Sequence, residues 1–207
     1  MRVIARRQLE RMAKLEFWLE YASTYSYLSV SRIGQLADER GIEIDWQPFW
    51  LYPVREHLKL PAPFPAGSAR EKYMWLDVER RAKSLNLPYR RPELYPFNSM
   101  PIGRIAFLAS REGWCRDFTE TAFRLHWTEG ISMDTTANLE AALASARQEP
   151  ARVQALASSP EIKQAFREQT IRAIDRGIFG APSFVVAGEL FWGDDRLEDA
   201  LAAADKG

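Results

Sequence analysis

Two runs of alternating hydrophobic and polar residues lie near the start of the chain, at residues 15–21 and 42–49. Alternation places successive side chains on opposite faces, so each run predicts a β-strand. Residues 25–40 between them have the hydrophobic spacing of a helix, which Gly41 ends. This order predicts a βαβ unit with parallel strands. One face of the first strand carries Leu15, Phe17, Leu19 and Tyr21, and the opposite face carries Glu16, Trp18 and Glu20.

The middle of the chain is predicted to be mainly helical. Residues 51–67 contain four prolines, which predict an irregular surface loop rather than a helix. Helical patterns follow at residues 69–85 and, with several breaks, at residues 102–176. This block is long enough to form a helical insertion between strands.

Strand character returns near the C-terminus. Residues 183–187 and 190–192 read as a hairpin joined at Gly188, and residues 194–204 read as a final helix. The order predicts an α/β chain with a thioredoxin-like fold (β-α-β, helical block, β-β-α) and a large all-helical insertion. The expected division is an N-terminal extension at residues 1–14, a thioredoxin-like domain at residues 15–68 and 177–207, and a helical insertion subdomain at residues 69–176.

Composition narrows the classes of function. The chain has 28 basic and 28 acidic residues, so no net field attracts nucleic acid or an anionic membrane. No apolar run is long enough to span a bilayer, and a cytoplasmic protein is expected. Cys115 is the single cysteine, which excludes an intrachain disulfide and a CxxC motif. His, Cys and Asp residues lack metal-ligand spacing, so no metal site is predicted.

Ser23 occupies the predicted turn between the first strand and the first helix. The free backbone N–H groups and positive dipole of a helix N-terminus favour an anion there. A serine at this position is also an ordinary helix N-cap, and both interpretations remain open from the residue alone.

Four segments carry a resemblance to a known family: Ser-Thr-Tyr-Ser-Tyr-Leu at residues 23–28, Pro-Phe-Asn-Ser at 96–99, Gly-Ile-Phe-Gly-Ala-Pro-Ser-Phe at 177–184, and Phe-Trp-Gly-Asp-Asp-Arg-Leu at 191–197. With these segments the chain resembles the 2-hydroxychromene-2-carboxylate isomerases, in the group related to kappa-class glutathione transferases and DsbA-like proteins. The segments fall between residues 15 and 200, so the resemblance covers nearly the whole chain.

The resemblance implies a glutathione site. Ser23 matches the serine that faces the glutathione sulfur, and Pro182 matches a cis-proline beside it. Ala181 would then offer its backbone N–H and C=O to the cysteinyl unit of glutathione, as an added strand does. Asp195 and Arg196 match positions that bind the γ-glutamyl end. Asp195 could equally begin the last helix, where it complements the dipole.

The resemblance also implies a small aromatic substrate. Asn98 lies in a segment that the family places near the bound ligands. Candidate aromatic walls are Trp50, Tyr52, Tyr73 and Phe97, and candidate cations for a substrate carboxylate are Lys59, Arg91 and Arg104. Tyr52 and Lys59 join Asn98 as the expected substrate-binding residues.

The chemistry expected of Ser23 is that of a hydroxyl. It cannot form a mixed disulfide, but it can donate a hydrogen bond to an external thiolate beside the helix N-terminus. Together with this chemistry, the family resemblance implies a glutathione-dependent cis-trans isomerase of aromatic catabolism. The alternatives are a kappa-like glutathione transferase and a non-catalytic glutathione-binding protein, the latter favoured by Thr24, where the family usually has proline. A homodimer is also expected, because the family is often dimeric.

Overall fold

The fold was derived from a computed structural model that describes residues 13–93 and 95–205. Most of the expected N-terminal extension, residues 1–12, lies outside the described residues. The first strand begins at Lys14, the last residue assigned to that extension.

A mixed four-stranded sheet lies at the centre of the fold, in the order β2-β1-β3-β4. The first strand β1 (Lys14–Leu19) pairs in parallel with β2 (Glu43–Pro48), as the βαβ prediction requires. The same strand pairs antiparallel with β3 (Ser183–Val186), which forms the hairpin with β4 (Glu189–Trp192). The sheet therefore brings the two ends of the chain together across β1.

Helices surround this sheet and form the block between β2 and β3. Their bounds are α1 (Thr24–Asp38), α2 (Leu51–His57), α3 (Ala69–Ser84), α4 (Met100–Glu112), α5 (Cys115–Arg124), α6 (Thr136–Ser145), α7 (Pro150–Ala157), α8 (Pro160–Asp175) and α9 (Leu197–Ala204). A π-helical turn, Leu125–Glu129, continues α5, and a 3-10 turn, Asp194–Arg196, precedes α9. The predicted order β-α-β, helical block, β-β-α is confirmed.

Both faces of the sheet are covered. Leu15, Phe17 and Leu19 pack into the main core, as the alternation predicts. Trp18, on the opposite face, packs with Phe49 of the chain after β2 in a second cluster beneath α2 and α8. Trp18 is therefore buried as well, because these helices lie over the second face.

The proline-rich segment after β2 was wrongly predicted to be irregular throughout. Its first part forms α2, which contains Pro53. Proline is tolerated in the first turn of a helix, where its missing N–H would have no helical partner. Val54 is fully buried in the second cluster, so tertiary packing adds to the stability of this short helix.

The helical block shares its core with the sheet. The main cluster joins Phe17 of β1 and Leu28 of α1 to Trp75 of α3 and Phe123 of α5. The rings of Phe123 and of Tyr21, which follows β1, lie 5.2 Å apart. One continuous apolar core thus connects the strands to the helical insertion.

Candidate active site

A cavity of about 1790 Å³ lies at the N-terminal end of α1. Its walls come from the turn before α1, from α2 and the loop after it, from α3, from the loop before α4, and from the segments on either side of the β3–β4 hairpin. The cavity therefore lies between the sheet and the insertion. A volume of this size accommodates a tripeptide and a bicyclic molecule together.

Ser23 is the N-cap of α1 and lines the cavity. Its backbone is extended (φ −80°, ψ 119°), and its Oγ accepts a hydrogen bond from the Ser26 N–H at 3.1 Å. The same hydroxyl donates to the Ala181 carbonyl oxygen at 3.0 Å. Ser23 is thus both a helix cap and a cavity residue, and the two interpretations of its position are compatible.

The segment before β3 forms the opposite edge of this site. The Ala181–Pro182 peptide bond is cis, and both residues line the cavity. The Pro182 carbonyl accepts a hydrogen bond from the Gly193 N–H at 3.0 Å, which ties the segment to the end of β4. A Cβ on Gly180 would lie 2.3 Å from Nε1 of Trp192, so this close approach requires glycine.

Asp195 and Arg196 line the cavity at the 3-10 turn before α9. Arg196 contacts Asp195 at 3.3 Å and Asp199 at 2.9 Å, and the side chains of both predicted residues are about half exposed. Carboxylate and guanidinium groups are therefore both available at one end of the cavity.

A buried ion pair beside them was not predicted. Asp194 is 3% exposed, and its Oδ2 accepts a hydrogen bond from Arg81 Nε at 2.7 Å. Burial raises the pKa of the Asp194 carboxyl, although Arg81 opposes this rise. Both residues line the cavity, and their contact joins α3 of the insertion to the 3-10 turn. The Asp-Asp-Arg run at residues 194–196 indicates charged groups here, but the sequence does not show which aspartate is buried.

The expected substrate-binding residues divide into two groups. Asn98 and Tyr52 line the cavity, and so do the candidate aromatic walls Trp50, Tyr73 and Phe97. Lys59 is not among the lining residues; it lies in the turn after α2, with a φ of 53°.

The cations of the cavity differ from those expected. Arg91 stacks on the Trp75 ring at 4.4 Å, and neither Arg91 nor Arg104 lines the cavity. Arg55 of α2 and Arg70 of α3 line it instead. The α2 helix that places Arg55 there was predicted as loop, which is why this residue was missed.

Glu20 is a further cavity residue; the sequence placed it on the face of the first strand opposite Leu15, Phe17 and Leu19 and assigned it no role in the site. It is only 5% exposed, and its carboxylate accepts a hydrogen bond from the Ser99 hydroxyl. Burial raises the pKa of this carboxyl to about 7, although Ser99 and the backbone at Ala22 oppose the rise. An acid with this pKa exchanges a proton near neutral pH.

The protein supplies no thiol of its own to this cavity. Cys115, the single cysteine, is buried in α5 with its Sγ 3.5 Å from Thr119 Oγ1. Burial raises the pKa of its thiol to about 12, and it does not line the cavity. A thiol reaction at Ser23 therefore requires an external thiol.

Residues 13–93 and 95–205 contain neither a metal-binding cluster nor a membrane-spanning helix. No cluster of three or more His, Cys, Asp or Glu side chains is arranged to hold a metal ion there. None of the helices in these ranges is both long and apolar enough to cross a membrane.

Comparisons with known proteins agree with this architecture. The family model described as "DSBA-like thioredoxin domain" matches residues 14–204. A protein from Pseudomonas putida named 2-hydroxychromene-2-carboxylate isomerase is 26% identical over 184 residues, which cover 88% of this chain and 90% of that protein. Glutathione S-transferase kappa 2 from Caenorhabditis elegans is 25% identical over 210 residues, or 93% of each chain. A solved structure of a 2-hydroxychromene-2-carboxylate isomerase superposes with a TM-score of 0.84 at 24% identity, covering 93% of this chain and 95% of that one.

Proposed function

The chain belongs to the DSBA-like thioredoxin domain family, and we propose that within it the protein is a glutathione-dependent isomerase. Its substrate is a small conjugated aromatic carboxylate of the 2-hydroxychromene-2-carboxylate type. The observation that carries this proposal is the Ser23 hydroxyl at the N-terminus of α1, inside a cavity and hydrogen-bonded to the residue before cis-Pro182.

The residues around Ser23 suit glutathione. The tripeptide presents a thiol, a peptide backbone and a γ-glutamyl end with one ammonium and one carboxylate. The cavity offers a hydroxyl at a helix N-terminus, the exposed backbone beside Pro182, and the charged pair Asp195 and Arg196. When bound, glutathione supplies the nucleophilic thiol that adds reversibly to a conjugated carbon.

Ser23 stabilises that thiol as the thiolate. Its hydroxyl now donates to the Ala181 carbonyl, so it turns toward the sulfur when a thiolate is present. The Ser26 N–H keeps its bond to Oγ during this change, because it uses a different electron pair. Lowering a thiol pKa from about 8.5 by one to two units requires about 1.4 kcal/mol per unit, which one hydroxyl and a helix end supply.

The other end of the cavity binds the substrate. Tyr52 and Phe97 offer aromatic surfaces to a flat molecule, and Asn98 offers an amide. Arg55 and Arg70 take the role first assigned to Lys59, since they are the arginines near the aromatic walls. A guanidinium binds a carboxylate in a bidentate manner, which fixes the orientation of a planar acid.

The test is a rate assay with 2-hydroxychromene-2-carboxylate as the substrate. The purified protein should isomerise it only when glutathione is added. Ser23→Ala should lose roughly one to two orders of magnitude in rate, because each unit of thiol pKa changes the thiolate population up to tenfold. Ser159→Ala is the matched control, since Ser159 caps α8 in the same way but does not line the cavity. Equal rates with and without glutathione would contradict the proposal.

A kappa-like transferase is the second candidate, favoured by the match to the Caenorhabditis elegans protein. A transferase consumes glutathione in a stable conjugate, whereas an isomerase releases it unchanged. Incubation with an electrophilic aromatic chloride, followed by measurement of free glutathione, separates the two. Calorimetric binding of glutathione without either reaction would instead indicate a binding protein.

A further inference from the structure

Glu20 has no part in the function proposed so far, although it is a carboxylic acid in the wall of the same cavity. It follows β1, and its backbone oxygen accepts a hydrogen bond from the Ser23 N–H at 3.1 Å. Its side chain accepts from Ser99, the neighbour of Asn98. Glu20 is thus bonded both to the turn that holds Ser23 and to the segment that carries Asn98.

The surroundings of Glu20 are nearly free of charge. Within residues 13–93 and 95–205, no lysine, arginine or histidine forms an ion pair with it. The charge of Glu20 acts on Tyr95, whose hydroxyl donates to the Ala22 oxygen at 2.8 Å. Burial, and then the charge of Glu20, raise the pKa of Tyr95, so this phenol stays neutral at physiological pH.

Other carboxylates that line the cavity are engaged elsewhere. Asp77 accepts a hydrogen bond from the Tyr25 hydroxyl at 2.8 Å, Glu56 accepts from Tyr52, Asp194 pairs with Arg81, and Asp195 pairs with Arg196. Glu20 is buried, as Asp194 is, but it has neutral donors in place of an arginine. Its pKa of about 7 populates both the acid and the carboxylate near neutrality, as an acid–base group requires.

We infer that Glu20 is the acid–base residue of this cavity, giving a proton to the substrate carbonyl oxygen as negative charge develops there and taking it back in the reverse step. This inference rests on the proposed isomerase function. Its basis is the position of the Glu20 carboxyl between Ser23 and Asn98, in the wall of the cavity that both residues line. The hydrogen-bond donors to this carboxyl are neutral.

The proton and electrons balance over one cycle. As the thiolate bonds to the conjugated carbon, the carbon–carbon π pair shifts toward the carbonyl oxygen. That oxygen takes the proton of Glu20 and leaves a carboxylate. In the reverse step the carboxylate removes the proton, the carbonyl reforms, and the electron pair of the breaking bond returns to the sulfur. The residue is regenerated, with no other reactant consumed.

The first part of the test measures the ionisation of Glu20 without substrate. Infrared difference spectra of wild type against Glu20→Gln, recorded across pH, should show a carboxyl group that titrates near pH 7. Ser99→Ala should move this titration upward, because the Ser99 hydrogen bond stabilises the carboxylate. A Glu20 carboxyl that titrates below pH 5 would overturn the inference. This part does not depend on the enzyme's activity.

The second part measures the pH dependence of the isomerisation rate. Wild type should lose rate as pH rises through about 7, since the acid form of Glu20 is lost, and Glu20→Gln should be slower and lack this decline. Glu16→Gln is the matched control, because Glu16 lies in β1, which Glu20 follows, and pairs with Arg176 outside the cavity. Circular dichroism and glutathione binding verify that Glu20→Gln folds.

The outcomes separate the two proposals. An active wild type whose alkaline decline persists in Glu20→Gln overturns the role of Glu20 and leaves the isomerase function intact. A wild type that shows no glutathione-dependent isomerisation overturns both, even where the infrared titration gives a value near 7.

Discussion

At the scale of single residues, the chemistry of the cavity depends on the side chain at position 23. A hydroxyl there caps α1 and contacts the residue before cis-Pro182, but it cannot form a disulfide. The helix N-terminus adds positive potential at the same point. Under the proposed function, this position would stabilise a sulfur anion that another molecule brings, without reacting covalently with it.

Replacement of Ser23 by cysteine tests this potential without any ligand. The new thiol in Ser23→Cys should have a pKa about one unit below 8.5, because a helix N-terminus favours the thiolate. The pH dependence of alkylation by iodoacetamide measures it, and native Cys115 gives little background, since it is buried with a pKa of about 12.

A thiol at the other end of a helix provides the control. Ser84→Cys lies at the exposed end of α3, where the helix dipole does not favour an anion. Its pKa should stay near 8.5 or above. The same pKa for both engineered thiols would contradict the electrostatic role of the α1 terminus.

Sequence predicted some of these residues and missed others for physical reasons. Ser23 and Pro182 were found because short local motifs fix their backbone positions. Glu20 was not assigned to the site, since alternation along one strand shows only which face a side chain lies on, and not that Ser99, distant in sequence, lies beside it. Lys59 was named as a stand-in for the basic residue of the family's loop, whereas Arg55 was missed because the proline content hid α2, which brings it to the cavity.

At the scale of elements, the cavity depends on contacts that join the insertion to the strands. Arg81 of α3 pairs with Asp194 of the 3-10 turn, and Arg32 of α1 donates to the Asp194 carbonyl at 3.3 Å. Three elements that are distant in sequence therefore meet at one buried residue, Asp194, through its carboxylate and its backbone oxygen. These contacts hold the charged end of the cavity in place.

Removal of Arg81 and removal of the Asp194 charge should destabilise the protein by different amounts. Arg81→Ala leaves a buried carboxylate unpaired and should lower the free energy of unfolding by about 2 kcal/mol or more, whereas Asp194→Asn leaves only a partly exposed arginine and should cost less. Loss of Arg81 raises the pKa of Asp194 further, so the penalty should be larger at pH 7 than at pH 4.5, where protonation relieves it.

Urea denaturation at the two pH values measures this difference. Arg116→Ala is the control, because Arg116 pairs with Asp38 at 2.8 Å and with Glu120 at 3.0 Å at more exposed positions, where solvent weakens ion pairs, so its loss should cost less. Equal losses for Arg81→Ala and Arg116→Ala would show that the Arg81–Asp194 contact does not stabilise the fold.

At the scale of the whole molecule, the helical insertion and the strands behave as one folded unit because they share a core. Phe123 of α5 is fully buried and its ring lies 5.2 Å from that of Tyr21, three residues before the N-terminus of α1. A cavity bounded by both parts keeps its shape only when both are folded. The two ends of the cavity are thus connected through packing.

Shortening a buried side chain in the insertion should therefore destabilise the whole fold. Phe123→Ala removes a buried ring and should cost about 3–5 kcal/mol. Unfolding should remain a single transition, with far-UV circular dichroism and tryptophan fluorescence changing together. Leu76→Ala, at a position 46% exposed in α3, should have little effect. Two separate transitions would contradict a shared core.

The most direct test of the account is the pKa of the glutathione thiol when it is bound to the protein. Ultraviolet absorbance of the thiolate, recorded across pH with glutathione bound, should give a pKa about one to two units below the free value of roughly 8.5. Ser23→Ala should return it toward the free value, and the Ser159→Ala control should not change it. A bound thiol in wild type with the pKa of free glutathione would contradict the claim that the Ser23 hydroxyl and the α1 terminus activate an external thiol.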